Sequence, residues 1–338
     1  MCPKQGSTGT DPFICGRIFL MAPFSYTIRP IRPEKDAAAI ADLIKNSFRP
    51  WLDSDNINYL EQLHKSGLDA QAHPLWTNIT GFPYNLPGMV CIDTDRKIVG
   101  VVNSYTFYRG DYKCSSIVNV CVDPNHRQEG IATHILSEIE RSQQKEGTYG
   151  LYLQARMSNS KTIQFYKNRG FAVTDFRETW ILPKGKINQN HIPDGYCAEY
   201  VPAADKESFE NRFKIRYPDS ILWNLDYSET LFHPGRLPAI MNRLTSSGNR
   251  FLRITEEHTG VKAWAAFQQM QGIMDQLWFV PNTGITNREM SIILEILSHE
   301  YRGNNALKLD IPVGEDSGIY SAAGFIKQQT LAWMWKRL

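Results

Sequence analysis

The chain has 338 residues, of which 42% are hydrophobic and 21% are charged, and its formal net charge is +2. This length suffices for two domains of ordinary size, and the composition is that of a globular protein. So small a net charge gives no basis for a nucleic-acid or membrane-surface partner, and no apolar run approaches the roughly 20 residues of a membrane span. We therefore expect a protein that binds neither nucleic acid nor membrane.

The six cysteines are scattered, and none forms a C-x-x-C pair or a histidine–cysteine group with zinc spacing. A disulfide framework is not expected in so long a chain with so few cysteines. Cys91 and Cys121 lie within apolar strand patterns, where cysteine packs as a small core residue. Because no histidine or carboxylate near Cys121 is placed to activate its thiol, a nucleophilic role is disfavoured. No metal site is predicted.

The first 22 residues form a segment without periodicity, in which the order of charged and apolar residues differs from that of a secretory signal. We predict that residues 1–22 are a disordered tail. An alternative interpretation is an upstream extension of a chain whose natural start is Met21.

The first half of the chain has the predicted order strand, two helices, three strands, helix, strand, helix and strand. Residues 73–88 are rich in proline, glycine and aromatic residues and are predicted as a loop. Alternating strands and helices of this kind predict an α/β architecture, a mixed sheet with helices on its faces. The predicted bounds of the elements are 24–31, 33–44, 56–64, 89–93, 97–108, 114–122, 131–145, 149–155, 159–168 and 171–182.

Residues 184–195 are polar and carry prolines and glycines, which is typical of a linker. It separates a predicted first domain, residues 23–183, from a second one, residues 196–338. Strands of the second domain are predicted at 196–201, 251–255, 261–270, 275–280 and 306–311, with a last strand ending at Trp335. Its helices are predicted at 204–215, 286–301 and 318–323.

Two short sequences of the first half recur in the second. Tyr166-x-x-x-Gly170-Phe171 returns as Tyr320-x-x-x-Gly324-Phe325, and Val122-Asp123-Pro124-Asn125 returns as Phe279-Val280-Pro281-Asn282. Both offsets are roughly 155 residues, which indicates that one domain was duplicated.

A glycine-bearing loop connects the strand that ends at Val122 to the helix that begins at Ile131, with the spacing Arg127-x-x-Gly130-x-Ala132. The first amides of a helix lack intrahelical partners, and the helix dipole favours an anion there. Gly130 lets the backbone approach a phosphate closely. A glycine at such a turn is also common as a plain tight connection. The second half lacks this spacing, so the phosphate-binding loop is predicted in the first half only.

With these motifs and this element order, the chain resembles the GNAT superfamily of acyl-CoA-dependent N-acetyltransferases, as two tandem folds of which the second is degenerate. The loop around Gly130 matches the pyrophosphate-binding motif of the family, and Asn159-Ser160 through Tyr166 to Gly170-Phe171 matches the motif that follows it. The resemblance covers residues 24–182 closely and the rest in decayed form. It implies acetyl-CoA as cosubstrate. It also implies direct attack, in a ternary complex, by a primary amine of a small molecule, amino acid or peptide.

The resemblance also implies roles for particular residues. Pantetheine would lie between the strand ending at Val122 and strand 149–155, paired with the backbone of Val120, Cys121 and Val122. The pyrophosphate would rest on the amides of Arg127, Gln128, Glu129, Gly130, Ile131 and Ala132, and the hydroxyl of Thr133 would bond a phosphate oxygen. Tyr166 would act as the general acid that protonates the CoA sulfur, and Asn159 would contact the cofactor.

Each of three side chains has a plainer alternative role. Tyr166 could be an aromatic residue that packs under the sheet, Asn159 could be a helix N-cap, and Thr133 could be an ordinary first-turn residue. Glu129 is expected to face solvent, because a carboxylate facing inward would repel phosphate.

The general base and the acceptor remain open at this stage. Many relatives place a glutamate on the strand that here reads 115–119, where this chain has no carboxylate. A water held by Ser116 or Asn119, or a remote Asp93 or Asp111, are the alternatives. Trp76, Phe82 and Tyr84 in the loop 73–88 either line an acceptor pocket or pack against the second domain. The tryptophans of the second half are expected mainly in its core and at the interdomain boundary.

Two other functions compete with acetyl transfer: a non-catalytic regulator that binds acyl-CoA, and an interaction protein that uses the duplicated fold as a scaffold. The loop spacing is intact in one half and lost in the other, which favours a cofactor site in use. The lack of an export signal and the occurrence of acetyl-CoA inside cells lead us to expect a cytoplasmic protein. The sequence leaves the oligomeric state open.

Overall fold

The computed structural model describes residues 25–52, 54–74, 77, 81–185, 194–201, 206–225, 227, 250–270, 274–301 and 303–338. The predicted tail 1–22, Trp76 and most of the predicted linker lie outside the described residues. No helix in the described part of the chain is both long and apolar enough to cross a membrane. Within the same residues, no three His, Cys, Asp or Glu side chains come together where a metal ion could be held.

The first half contains six strands and four α-helices within its described residues. The strands are β1 Thr27–Pro30, β2 Gly88–Ile92, β3 Ile98–Arg109, β4 Tyr112–Val122, β5 Gly150–Arg156 and β6 Ala172–Leu182. The helices are α1 Pro33–Phe48, α2 Ser54–Ala72, α3 Ile131–Lys145 and α4 Ser160–Asn168. Short 3-10 turns lie at Arg49–Trp51 and Pro124–His126.

Helix α2 is longer than the predicted 56–64. Leu60, Leu63 and Ala70 are buried along one side of it, so packing stabilises the turns beyond His64. Gly67 is what permits the close contact with α1, because a Cβ added there would lie 2.5 Å from the backbone nitrogen of Ala38. Because glycine has a low helix propensity, Gly67 weakens the prediction of a helix here, although it allows α2 to pack closely on α1.

The second half also contains six strands and four α-helices within its described residues. Its strands are β7 Tyr196–Tyr200, β8 Arg250–Glu256, β9 Gly260–Gln268, β10 Met274–Pro281, β11 Ala306–Pro312 and β12 Ile326–Arg337. Its described helices are α5 Lys206–Arg216, α6 Asp219–Leu222, α7 Asn287–Glu300 and α8 Ser317–Ala322.

The described strands form one mixed sheet of twelve, in the order β1-β2-β3-β4-β5-β12-β6-β11-β10-β9-β8-β7. The predicted α/β class with a mixed sheet is confirmed. Counted outward from the central pair of β12 and β6, the two sides of the sheet have the same order. Each side starts with the sixth strand of one half and continues from the fifth to the first strand of the other half. The last strand of each half therefore lies beside the fifth strand of the other half: β12 pairs with β5, and β6 pairs with β11. Strand β6 is thus separated by β12 from β5, the preceding strand of its own half.

Helices cover both faces of the sheet. On one face α1 and α2 pack on the first half, over Val101 and Cys121, and α5 and α6 pack on the second half. On the other face α3 and α4 cover the first half, and α7 and α8 cover the second. Cys91 and Cys121 are buried in these cores, as predicted. So are Trp264, Trp278 and Trp333.

Candidate active site

Strands β4 and β5 separate part of the way along their length. Their parallel pairing runs from Cys114 opposite Gly150 to Ile117 opposite Leu153 and stops there, whereas β4 continues to Val122 beside β3 alone. Asn119 has a left-handed φ of 53° where the register between β3 and β4 shifts by one residue, which marks a β-bulge. The predicted positions Val120, Cys121 and Val122 thus border a gap in the sheet. An extended molecule can pair with backbone groups there as an added strand.

The loop that follows β4 presents a run of free amides. Among the described residues, no backbone N–H from Arg127 to Thr133 donates to a backbone carbonyl. Gly130 is the N-cap of α3 with a φ of 80°, and no side chain caps this helix. Gln128 is also left-handed, with a φ of 68°. Open amides at a helix N-terminus, with alternating left-handed residues before them, are suited to an anion.

Arg127 is held close to this loop. Its Nε donates to the carbonyl oxygen of Val122 at 3.3 Å, and its terminal nitrogens have no hydrogen-bond partner in the described part of the chain. Those nitrogens are therefore available to a bound anion. Glu129 is exposed and accepts a hydrogen bond from the hydroxyl of Tyr26, with His126 3.7 Å away. The Glu129 carboxylate is thus engaged by Tyr26 and exposed to solvent.

The first turn of α3 combines an anchored side chain with accessible backbone. Ile131 is buried in the core beneath the helix, which fixes the start of α3. Ala132 is half-buried, and Thr133 is exposed at the end of the helix that carries the open amides. The geometry is compatible with a phosphate contact from the Thr133 hydroxyl.

Tyr166 lies on α4, buried beneath the sheet, with its ring at steep angles to those of Phe165 and Phe171. Burial raises the pKa of its phenol, and the nearby Cys121 raises it further. The described residues offer its hydroxyl no hydrogen-bond partner. The phenol is therefore protonated at neutral pH, and its raised pKa makes it a weaker acid than an exposed tyrosine. Aromatic packing and a general-acid role are both compatible with this position.

Two further site predictions have clear structural outcomes. Asn159 is the N-cap of α4, and its side-chain oxygen accepts from the amide of Thr162 at 3.1 Å, so the plainer alternative holds for that oxygen. Burial raises the pKa of the Cys121 thiol to about 12. A thiol so difficult to ionise is a poor nucleophile.

The candidates for the general base differ in position. Asp93 closes the turn between β2 and β3 by accepting from the amide of Lys97, and Asp111 lies in the turn between β3 and β4. Neither lies on the part of β4 beside the gap. Asn119 does, and its side-chain amide donates to the side-chain oxygen of Asn103 at 3.1 Å. Ser116 lies opposite Tyr152, one residue before the last pair of β4 with β5.

Loop residues Phe82 and Tyr84 pack within the first half. The Tyr84 ring lies against Tyr59 of α2 and against Phe82, with centroids 5.7 and 5.9 Å apart. Within the part of the chain that the structure describes, these two rings pack on the first half.

A cavity of about 480 Å³ lies at the boundary between the two halves. Sequence reasoning missed it, because its walls come from distant parts of the chain. One part of them belongs to the ends of β3, β4 and β5, and the rest to the segment around α6. Its lining includes Arg109, Cys114, Tyr152, Asp219, Trp223 and Tyr227. Trp223 is the one tryptophan of the second half that lines it.

The corresponding gap in the second half is closed. Strands β10 and β11 pair in parallel as far as Gln276 opposite Lys308 and then separate, as β4 and β5 do. Tyr217, fully buried, fills the space: its hydroxyl donates to the carbonyl oxygen of Phe279 at 3.3 Å and accepts from the Phe279 amide at 3.1 Å. Backbone groups that are open in β4 thus have an internal partner in β10.

The helix N-terminus of the second half is closed as well. Thr286 and Glu289 form a capping box at the start of α7, in which Glu289 accepts from the Thr286 amide at 2.8 Å. The Glu289 carboxylate also binds Lys262. The Glu289 carboxylate thus occupies the position at the N-terminus of α7 where an anion would bind.

The hydroxyl of Tyr320, the counterpart of Tyr166, donates to Glu315 and accepts from Arg216.

The fold and the site together place a helix N-terminus with open amides beside a gap in a mixed sheet. Residues 47–171 match the model of the Acetyltransferase (GNAT) family. Over these residues the chain is similar to the GNAT family of acetyltransferases.

Comparison with curated proteins gives short matches. The ribosomal protein bS18-alanine N-acetyltransferases of Escherichia coli (strain K12) and Shigella flexneri are each 27% identical over 66 residues. These matches cover 20% of this chain, which spans 45% of the length of those relatives.

Solved structures match over almost the whole chain. A GCN5-related N-acetyltransferase from Sphaerobacter thermophilus has a TM-score of 0.54 at 14% identity, covering 93% of this chain and 96% of the other. The GCN5-related glucosamine N-acetyltransferase region of a fungal multi-domain GH3 β-N-acetylglucosaminidase has a TM-score of 0.53 at 11% identity, covering 93% of this chain and 38% of the other. At such low identity the likeness shows a shared fold and no more.

Proposed function

We propose that the chain is an acetyl-CoA-dependent N-acetyltransferase that acts on a primary amine of a small molecule, amino acid or peptide, with its chemistry in the first half. The observation that carries this proposal is the contrast between the halves. The gap beside Val120 and the amides before α3 are open, whereas Tyr217 and Glu289 close their counterparts. The match of residues 47–171 to the GNAT family supports the same activity.

In this proposal the gap between β4 and β5 receives the pantetheine, and the amides from Arg127 to Thr133 bind the pyrophosphate together with the Arg127 guanidinium. The amine attacks the thioester carbonyl, so a C–N bond forms while the C–S bond breaks. Tyr166 donates its proton to the leaving sulfur. Water near Ser116 and Asn119 is the proposed acceptor of the amine proton.

We also infer that the second half is a duplicate of the first that has lost its cofactor site. The symmetrical strand order and the repeated Tyr166 and Tyr320 support a duplication. The closed gap and the capping box support the loss of function in that half.

The first test is a thermal melt with and without millimolar acetyl-CoA, run on wild type, Arg127→Glu and Arg288→Glu. Ligand at a hundred times its dissociation constant adds about 2.7 kcal/mol to the free energy of unfolding. We expect a shift in wild type and in Arg288→Glu, which alters the corresponding helix of the second half, and none in Arg127→Glu. An absent shift in all three proteins would contradict the proposal.

A second candidate is a regulator that binds acyl-CoA without turnover. The observation that favours it is the absence of a carboxylate on β4 from Ser115 to Asn119. Release of CoA in the presence of a broad panel of amines distinguishes the two functions. Binding without amine-dependent release would select the regulator.

A further inference from the structure

The cavity between the halves lies close to the end of the gap in the sheet. Tyr152, which lines it, pairs with Ser116, one residue before the last pair of Ile117 and Leu153. Cys114, at its other side, is three residues from Ile117, or roughly 10 Å at the usual rise of a strand. When the reactive atom of a bound molecule lies at the end of the gap, about 10 Å of the rest of that molecule can lie along the cavity.

Resting on the proposed function, we propose that this cavity is the acceptor site. We further propose that it selects a primary amine whose aromatic body carries an acidic group at the end remote from the amine. The second half would then supply one wall of the acceptor site of the first half. The cavity volume of about 480 Å³ falls in the range typical of small-molecule sites.

The walls suit a flat apolar body. Tyr152 belongs to a cluster of three rings in mutual contact, with its centroid 5.4 Å from that of Phe107 and 5.3 Å from that of Trp223. Phe107 and Trp223 are themselves stacked at 5.7 Å with an interplanar angle of 23°. Rings held against one another lose little freedom on binding and offer faces and edges to an aromatic ligand.

A positive charge in the wall is carried by Arg109, which ends β3 opposite Tyr112, on the side of Cys114 away from the gap. Its Nη1 donates to the Tyr152 hydroxyl at 2.6 Å, and its guanidinium carbon lies 5.5 Å from the centroid of the same ring. These contacts fix the guanidinium in the wall of the cavity. A second cation, Arg337, lies over the ring of the lining residue Tyr149 at 5.2 Å. A planar guanidinium beside an aromatic wall favours a carboxylate or a similar acid.

Among the described residues that line the cavity, Asp219 is the one that is acidic. Its carboxylate is 3.9 Å from Nη2 of Arg109, at the outer limit of an ion pair, and its side chain is 84% exposed. So weak and exposed a partner is displaced readily by an acid of the ligand. The buried indole N–H of Trp223 has no acceptor among the described residues, which adds an unsatisfied donor to this wall.

The test uses matched acceptors with the full-length protein. 4-(2-Aminoethyl)benzoate is compared with phenethylamine, and glycyl-phenylalanine with its amide, by amine-dependent release of CoA. We expect kcat/KM in wild type to favour the acid of each pair about 10- to 100-fold, as a charge-assisted hydrogen bond provides. Arg109→Gln should bring this ratio close to one, Arg109→Lys should restore part of it, and Asp219→Asn should raise it.

The result that would overturn the proposal is equal use of both members of each pair by wild type. A preference for diamines that is lost in Asp219→Asn would also overturn it, because Asp219 would then be the recognising group. The wild-type ratio needs no variant, so misfolding of Arg109→Gln leaves the proposal testable. Acetyl-CoA binding in the thermal melt separates this proposal from the proposed function. A shift without acid preference refutes the acceptor class alone, and no shift refutes both.

Discussion

The hydroxyl of Tyr217 binds both backbone groups of Phe279, donating to the carbonyl oxygen and accepting from the N–H. Phe279 lies three residues beyond the last pair of β10 with β11, as Val120 lies three residues beyond the last pair of β4 with β5. The phenol thus takes, in the second half, the hydrogen bonds that an extended ligand would take in the first.

We expect one acetyl-CoA to bind per chain, because the second gap is filled by Tyr217. Isothermal titration calorimetry of wild type gives the stoichiometry directly. Tyr217→Phe leaves two buried backbone groups unpaired and should lower the free energy of unfolding by about 1–3 kcal/mol. The stoichiometry should remain one in this variant, since a phenyl ring at this position would still fill the gap. Two acetyl-CoA molecules per wild-type chain would show that the second site is open.

Gly130→Ala should weaken acetyl-CoA binding. The φ of 80° is unfavourable for alanine by about 1–2 kcal/mol, and the added Cβ would lie 3.3 Å from the His134 ring at the open amides. Gly147→Ala is the matched control, because Gly147 is also left-handed, at 72°, and has no atom within 4 Å of the added Cβ. Both variants should lose similar stability in urea. Only Gly130→Ala should raise the dissociation constant, by about 10-fold or 1.4 kcal/mol.

Tyr166→Phe should lower kcat by about 10²- to 10⁴-fold, the usual contribution of a general acid. Stability and the dissociation constant of acetyl-CoA should hardly change, because the Tyr166 hydroxyl has no partner among the described residues. The control is Tyr320→Phe, which removes hydrogen bonds to Glu315 and Arg216 and should cost about 1.5–3 kcal/mol of stability. A Tyr166→Phe enzyme with unchanged kcat would leave aromatic packing as the role of this side chain.

Glu289 makes the stability of the second half depend on pH. Hydrogen bonds from Lys262 and Thr286 lower its pKa from 4.5 to about 2 in the folded chain. A folded pKa below the unfolded one means that the stabilisation is complete above about pH 5 and is lost as the pH falls from 4.5 towards 2. Glu289→Gln should therefore be less stable than wild type at pH 7, with a difference that shrinks by pH 3.

Urea unfolding at pH 7, 5 and 3 measures this effect. Glu257→Gln serves as the control, because Glu257 is exposed in a turn and its side chain has no partner among the described residues. Its difference from wild type should be the same at all three pH values. A Glu289→Gln difference that is equally independent of pH would refute the assigned cause.

Most of the local structure follows from the sequence. The spacing of apolar residues predicts nearly every strand and helix, because the residues that one element buries recur with a period that differs between helices and strands. The left-handed residue before the N-terminus of α3 is predictable, because the spacing around Gly130 places a glycine directly before the helix. Helix α2 is the main error in length, since its last turns depend on contact with α1 across Gly67.

The sequence by itself determined the α/β class, the recurring motifs and the half in which a glycine-bearing loop precedes a helix, since these depend on local pattern and on residues close in the chain. Only the tertiary structure decided that β12 lies between β5 and β6, because strand partners are set by non-local pairing. Only the tertiary structure likewise placed Tyr217 in the gap of the second half, and Trp223 and Arg109 in the wall of one cavity. These residues are brought together by packing between the halves, and no spacing along the chain encodes that contact.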